Sequence, residues 1–290
     1  MAISRACRIF PIFAREAKSV LLFRRGPSKW TELVLWDTCC DKLTFGQWFF
    51  GNIYPRRADL SPDGTTLIYF ATKFSKQNPH YKHPICCWTA VSRPPYFTAL
   101  VLWPAEYFSY EVSEGGGLFE SNHSIMLNHR PGYSVPLEGH LPEDMKVSLI
   151  PEANGWDEPI FSVRLERDGW VLHQAATKRQ VNPRYWVIEK PEIRIRTDPS
   201  NKYKIWMIRK PGYRDESFRI KDIEGTDVLN LNARSWADWD QNGRLVLISG
   251  GRLLIGEPNS DESSFSVKEL ADLNTRTPQN VVAPEWAITW

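Results

Sequence analysis

The chain has 290 residues, of which 42% are hydrophobic and 24% are charged. Its 36 basic and 34 acidic residues give a formal net charge of +2, which excludes a strong overall field of either sign. Thirteen tryptophans and an aromatic content of 13% favour strands and tightly packed sheet interiors.

The N-terminal region has no long apolar segment. The best apolar run near it, residues 19–23, is too short for a signal peptide or a membrane span. We therefore expect a cytoplasmic protein that does not use a membrane as a partner. The five cysteines are odd in number and four of them form two adjacent pairs, which is a poor disulfide framework, so we expect reduced thiols.

A hairpin pattern centred on a glycine turn recurs along the chain. In its best copy, residues 57–71, a short strand leads into Asp63 and Gly64, and a strand of β-branched and aromatic residues follows. Glycine supplies the positive φ that closes a tight hairpin turn. The other copies, strongest first, cover residues 236–248, 162–172, 13–23 and 110–119.

The spacing of these turns predicts the fold. Turns near positions 18, 64, 116, 169 and 243 are separated by roughly 46, 52, 53 and 74 residues, whereas a four-stranded propeller blade takes roughly 40–50. The sequence therefore predicts an all-β fold, a single β-propeller domain over residues 1–290. We predict five blades and keep six as the alternative, because the last separation is long.

Further strand-like runs lie between the hairpins, at residues 32–36, 97–103, 184–188 and 203–208. Helix is expected to be scarce, with one or two turns over residues 266–273. Residues 283–290 resemble a strand, and a propeller closes by pairing a terminal strand with a blade from the other end. We therefore predict that the N- and C-terminal strands pair.

The segment Ala-Asp-Leu-Ser-Pro-Asp-Gly at residues 58–64 resembles the WD-like and TolB-type propeller repeats that are common in bacterial proteins. Longer blocks at residues 45–70, 88–104 and 115–119 are similar to bacterial proteins of an uncharacterised family. The resemblance implies a propeller and brings no activity with it.

Residues 80–87 place His80, His83, Cys86 and Cys87 close together. Structural zinc sites usually use two cysteines separated by two residues, whereas adjacent residues of a strand point to opposite faces. We therefore predict no metal and no other cofactor.

The chain contains no Gly-x-Ser-x-Gly, no His-Glu-x-x-His and no phosphate-binding glycine loop. Carboxylates at Asp59, Asp238 and Glu285 are candidates for glycoside hydrolysis in a central channel. However, Asp59 and Asp238 occupy equivalent positions of the repeat, where a carboxylate can accept hydrogen bonds from turn amides.

Loops at the rim of a propeller supply most binding residues, and arginine and aromatic side chains favour interfaces. The candidate binding residues are Arg56, Arg57, Arg93, Tyr96, His123, His129, Arg130 and Trp236. The leading hypothesis is a non-catalytic scaffold or sensor subunit that binds another protein. The alternatives are a glycosidase-like hydrolase with carboxylates in the central channel, or nucleic-acid binding through Arg56, Arg57, Arg93 and Arg130.

Overall fold

The structure is a computed structural model. It describes the chain except residues 1–5, 74–85, 106, 109–110, 113, 133–134, 137, 152–157, 183–184, 211–215, 232–234 and 261–263. Five small sheets carry most of the strands, and the predicted all-β fold with the arrangement of a five-bladed β-propeller is confirmed.

The chain divides into two compact units, which are described separately. The large unit comprises Cys7–Arg164 and Arg276–Trp290, and the small unit comprises Met1–Ala6 and Leu165–Thr275. The boundary at Arg164 falls inside the helix α1 (Glu158–Arg167).

The large unit contains fifteen described strands and two 3-10 helices, at Pro55–Arg57 and Glu285–Ala287. In chain order, the strands are β1 (Arg8–Phe13), β2 (Ser19–Arg25), β3 (Trp30–Asp37), β4 (Lys42–Phe50), β5 (Asn52–Ile53), β6 (Asp59–Leu60), β7 (Leu67–Thr72), β8 (Cys87–Ser92), β9 (Ala99–Pro104), β10 (Tyr107–Phe108), β11 (Glu111–Val112), β12 (Gly117–Ser121), β13 (Ser124–Leu127), β14 (Glu138–Gly139) and β15 (Lys146–Leu149).

The described strands of the large unit form three larger sheets and the two-stranded β10–β11 sheet. Strands β1 to β4 make an antiparallel meander, and a second sheet has the order β14-β9-β8-β7-β5, with β6 also paired to β7. The third sheet joins the β12–β13 hairpin to β15, which runs parallel to β13. All six residues of β7 are buried, which explains its continuous apolar sequence, because such a strand has both faces covered.

The best repeat turn has the predicted form. Gly64 has a φ of +74°, and Asp63 Oδ1 accepts a hydrogen bond from Thr65 N at 3.0 Å, between β6 and β7. Gly243, with a φ of +77°, closes the corresponding turn in the small unit. The two strongest copies of the hairpin pattern are therefore present as predicted.

The copy over residues 162–172 is wrong in its first half, because α1 replaces the expected strand. Ile160, Phe161 and Leu165 are buried at helical spacing. Gly169, with a φ of +90°, donates to Glu166 O, and Trp170 N donates to Leu165 O at 2.9 Å. This pattern ends a helix, so the glycine acts as a helix terminator rather than as a hairpin turn.

The strands of the small unit form a five-stranded sheet in the order β16-β19-β20-β21-β22, a β17–β18 hairpin and a β23-β24-β25-β26 meander. Their bounds are β16 (Val171–Gln174), β17 (Thr177–Asn182), β18 (Tyr185–Lys190), β19 (Glu192–Thr197), β20 (Tyr203–Arg209), β21 (Glu216–Asp222), β22 (Asp227–Asn230), β23 (Trp236–Trp239), β24 (Leu245–Ser249), β25 (Arg252–Pro258) and β26 (Phe265–Asp272). The short helix expected over residues 266–273 is wrong, because this segment pairs with β25 from Phe265 to Asp272.

The C-terminal segment differs from the predicted closing strand. In the part of the chain that the structure describes, β1 pairs with β2 and β26 pairs with β25. Residues 276–290 form no strand; they contain one 3-10 helix and contact the large unit mainly through side chains. Two prolines, Pro278 and Pro284, lack the N–H that a ladder needs, which disfavours a strand there.

Among the described residues, α1 is the single α-helix, and no helix has the length and apolar character needed to cross a membrane.

Candidate functional site

Three buried polar side chains from separate parts of the large unit meet near the β12–β13 hairpin. Thr89 belongs to β8, Glu114 precedes β12, and His129 follows β13. The hairpin brings the last two together, since its pairing continues beyond the strands through Gly115 N to Asn128 O at 2.7 Å. We call these side chains the Thr89–His129–Glu114 chain.

In this group of side chains, the imidazole of His129 lies between the hydroxyl of Thr89 and the carboxyl group of Glu114. Thr89 Oγ1 lies 2.8 Å from His129 Nε2 and accepts a hydrogen bond from Gly116 N at 2.7 Å. His129 Nδ1 lies 3.9 Å from Glu114 Oε1, and Glu114 Oε2 accepts a hydrogen bond from Arg130 N at 2.8 Å. A neighbouring acceptor favours the tautomer with its proton on Nδ1, which leaves Nε2 to accept the threonine proton.

Burial decides the charge of the imidazole. The three side chains of this chain are buried, and burial lowers the pKa of His129 to about 4. The ring is therefore neutral at pH 7, because desolvation disfavours its charged form. A neutral imidazole that contacts a hydroxyl at hydrogen-bond distance has the arrangement of a general base.

Two predicted binding residues lie beside this chain but are buried. Arg56 and Arg57 are 8% and 5% exposed at the end of the 3-10 helix. Arg57 Nη1 donates to Glu114 O at 3.4 Å, and its guanidinium lies 5.2 Å from the ring centre of Phe70. Arg56 lies 5.1 Å from the ring centre of Phe161. The expected exposed positions are wrong for both, because guanidinium groups stack favourably on aromatic rings.

The carboxylates proposed for glycoside hydrolysis take part in internal contacts. Asp59 Oδ2 accepts a hydrogen bond from Phe119 N at 2.8 Å in the large unit. In the small unit, Asp238 Oδ1 accepts hydrogen bonds from Arg196 and from Trp239 N. Burial raises the pKa of Asp238, against the opposing effect of Arg196. These contacts give both aspartates structural roles.

The remaining predicted residues fall at different places. Arg93 and Tyr96 face the C-terminal segment, where their contacts are with Trp290 and Trp286. His123 is exposed and its Nδ1 lies 2.7 Å from Asp144 Oδ2.

Two more complete the set. Arg130 is exposed, and its backbone N–H donates to Glu114 Oε2 at 2.8 Å. Trp236 is buried in the small unit with its ring centre 5.3 Å from that of Phe218. The binding roles of the eight residues stay predictions. For the nucleic-acid alternative, the burial of Arg56 and Arg57 removes two of its four arginines from the exposed surface.

Thr89 and Glu114 were not predicted from the sequence. Their only sequence signal is the glycine triplet at residues 115–117, whose pairing with residues 127 and 128 carries Glu114 to His129.

The metal candidate falls partly outside the described residues, because His80 and His83 lie in the segment 74–85. Cys86 and Cys87 are free thiols with their sulfur atoms 3.5 Å apart, and burial raises the pKa of Cys87. The described residues contain no group of three or more metal-ligating side chains.

No protein-family model matches the sequence, and no curated protein matches it. Among solved structures, the chain is similar to the GH43 BlXynB protein from Bacillus licheniformis, with 12% identity and a TM-score of 0.34. A mutant of the same protein matches with 12% identity and a TM-score of 0.35. The matches cover 92% and 96% of this chain but 53% and 60% of those chains.

The comparisons correct the leading functional hypothesis. The prediction of a non-catalytic scaffold or sensor subunit is corrected, because the findings agree better with the hydrolase alternative, although the GH43 likeness itself carries no argument about activity. At this similarity no activity is transferred, so a functional proposal has to come from the residues of this chain. The WD-like and TolB-type resemblance has no support at the level of a family.

Proposed function

We propose that this protein is a hydrolase whose reacting groups are the side chains of Thr89, His129 and Glu114. The observation that carries this proposal is a neutral imidazole placed 2.8 Å from a hydroxyl and 3.9 Å from a carboxyl oxygen. A nucleophile, a base and a group that orients the base are the components of acyl-transfer catalysis on many unrelated folds.

In the proposed reaction, Thr89 Oγ1 attacks the carbonyl carbon of an ester while His129 Nε2 takes the hydroxyl proton. The imidazolium then gives that proton to the leaving alcohol, and the acyl group remains on the threonine oxygen. Water hydrolyses this acyl-enzyme, with His129 again acting as the base, and the product is a carboxylic acid. The Glu114 carboxyl group, 3.9 Å from His129 Nδ1, would orient the imidazole only after closing to hydrogen-bond distance.

Burial restricts the substrate. Because the three side chains are completely buried, a substrate can reach them only if the surrounding loops open, and we propose a small substrate with an apolar alcohol or acyl group. The names of the GH43 structures agree with hydrolysis as a reaction class, whereas the internal contacts of Asp59 and Asp238 do not favour a pair of glycosidase carboxylates.

The test is turnover of a panel of small aryl esters and aryl glycosides by the purified full chain. We expect ester hydrolysis, with a loss of about 10³-fold or more in kcat for Thr89→Val and His129→Gln. Thr89→Ser, which keeps a hydroxyl, should retain activity. His123→Gln is the matched control, because His123 also contacts a carboxylate but is exposed.

A pH profile separates catalysis from a purely structural role. Since the base form of His129 exists above its pKa of about 4, the acid limb of kcat/KM should have its midpoint near pH 4 rather than near the ordinary histidine value. The proposal fails if the folded chain hydrolyses no ester of the panel. Glycoside turnover that is unaffected by Thr89→Val would also overturn it.

Three finer predictions accompany this proposal. The hairpin turn at Gly64 supports membership of the blades in the WD-like or TolB-type class. The five free cysteines support a cytoplasmic location. A protein partner is supported by the aromatic and arginine side chains at Arg93 and Tyr96.

A further inference from the structure

The C-terminal segment, residues 276–290, is held at its first residue by charge. Arg276 Nε lies 2.8 Å and 2.7 Å from the two carboxylate oxygens of Glu32, which is completely buried on β3. The guanidinium also lies 3.6 Å from the ring centre of Phe45. Arg24 Nη2 donates to Arg276 O at 3.0 Å, so both the side chain and the backbone of this residue are bound.

The middle and the end of the segment are held by an amide and by aromatic rings. Gln47 Nε2 donates to Val281 O at 3.1 Å. The rings of Tyr96 and Trp286 are 5.6 Å apart in an edge-on arrangement. Trp290 places its ring centre 5.7 Å from the Arg93 guanidinium, and its Nε1 donates to His140 O at 2.6 Å.

Between these contacts several residues of the segment face solvent, although Ala287 is completely buried. Val282 is 80% exposed and Ile288 is 50% exposed, and the segment contributes no described strand to a sheet. The described hydrogen bonds within its backbone are local, from Ala287 N to Pro284 O and from Ile288 N to Glu285 O. A few anchoring side chains separated by exposed residues are the pattern of a peptide bound to a protein surface.

The surface that contacts the segment is formed by residues from much earlier parts of the sequence. Its residues Arg24, Glu32, Gln47, Arg93, Tyr96 and His140 all lie more than 130 residues earlier in the sequence. We call these six residues the tail surface, and residues 276–290 the tail. The tail therefore supplies a ligand, and the tail surface supplies the complementary charge, amide and rings.

We propose that the tail surface is a peptide-binding site that can accept the tail of a second copy of this chain. The ligand is an extended peptide with a leading arginine and two tryptophans spaced four residues apart. The second copy is the chosen source because its tail carries every group that the contacts use. In one copy, the covalent link gives the tail a high effective concentration, which exchange with a second copy must overcome.

The first experiment uses the full-length protein and cleaves the peptide connection between the tail and the rest of the chain. A protease recognition sequence is inserted between Thr275, which is exposed, and Arg276, and the folded chain is cleaved. A fluorescently labelled synthetic peptide of residues 276–290 is then added. We expect saturable binding to the cleaved chain and at least about tenfold weaker binding to the uncleaved chain, in which the tail occupies the surface.

A peptide of the same composition in scrambled order is the control, and it should not bind. Equal binding of both peptides, or no binding to a cleaved chain that keeps its fold, would contradict the proposal. Unfolding upon cleavage would also contradict it, because the tail would then be part of the folded core rather than an exchangeable ligand.

The second experiment tests the second copy as the source. One full-length variant has a defective surface, with Glu32→Gln and Arg93→Ala, and another has a defective tail, with Arg276→Gln and Trp290→Ala. Sedimentation should show one copy for each variant alone and a one-to-one complex for the mixture. If the mixture contains no complex while the labelled peptide still binds, the second copy is excluded as the source.

Discussion

Asp59 in the large unit and Asp238 in the small unit occupy the same position of the repeat, yet they bind different groups. Asp59 accepts from a backbone amide, that of Phe119 at the hairpin of the next sheet. Asp238 instead accepts from the charged side chain of Arg196, which is 23% exposed, and from Trp239 N. One repeat position therefore carries the contact with the Phe119 amide in the large unit and the ion pair with Arg196 in the small unit.

The difference reflects how closely the neighbouring backbone comes to the strand that carries each aspartate. Near Asp59, a Cβ added to Gly116 would lie 2.2 Å from Arg57 O, so the two backbones touch. At Asp238, a long arginine side chain spans the gap instead. A recurring aspartate is thus explained by the contact its surroundings require, and its recurrence is no sign of catalysis.

The largest expected effect comes from breaking the close backbone approach. Gly116→Ala should lower the free energy of unfolding by more than about 3 kcal/mol, because the new methyl group meets Arg57 O and the φ of +89° is unfavourable for alanine. The measurement is urea-induced unfolding followed by tryptophan fluorescence.

Gly225→Ala is the matched control. Gly225 has a φ of +94°, but a Cβ there would have no neighbour within 4 Å, so about 1–2 kcal/mol of backbone strain is expected. Equal losses for the two variants would show that strain alone, and no close approach, accounts for the requirement for glycine at Gly116.

The next effect depends on pH and belongs to the same region. His129 binds a proton in the folded chain only below its pKa of about 4, whereas an unfolded histidine binds one below about 6.5. The unfolded chain therefore takes up the proton first as the pH falls. From pH 7 to pH 4.5, this residue should remove about 2–3 kcal/mol from the free energy of unfolding.

The measurement compares the wild-type chain with His129→Gln at both pH values. The wild type should lose about 2–3 kcal/mol more than the variant between them. His123→Gln is measured alongside as the control, because His123 is an exposed histidine outside this buried group. If His129→Gln shows the same pH dependence as the wild type, then His129 of the wild type is protonated at the same pH in the folded and unfolded chains.

The parts of this molecule that local sequence determines were predictable. The turns at Gly64 and Gly243 combine a positive φ with flanking apolar strands, and both hairpins are present. Gly169 shows the limit of that signal, because a glycine with positive φ closes a hairpin turn and ends a helix equally well. The burial of Phe161 and Leu165, four residues apart, distinguishes the two.

The candidate site was largely unpredictable for a different reason. Thr89, Glu114 and His129 are separated by 25 and 15 residues, and neither separation corresponds to a known catalytic motif. Their meeting depends on the register of β12 against β13 and on Gly116 N reaching Thr89. Arg56 illustrates the same point, since it stacks on the ring of Phe161, which is distant in the sequence.

The smallest effect distinguishes the two aspartates directly. Asn keeps an acceptor oxygen but carries no charge, so Asp59→Asn can still accept from Phe119 N and should cost less than Asp59→Ala. Asp59→Ala leaves that buried amide without its acceptor and should cost about 2–3 kcal/mol.

At Asp238 the loss of charge is what matters, because the substitution to Asn removes the negative charge that Arg196 binds. We expect about 1–2 kcal/mol there, since the partly exposed guanidinium regains water. If both Asn variants are equally stable in urea unfolding, then charge contributes nothing at Asp238, and the two repeat positions use one kind of contact rather than two.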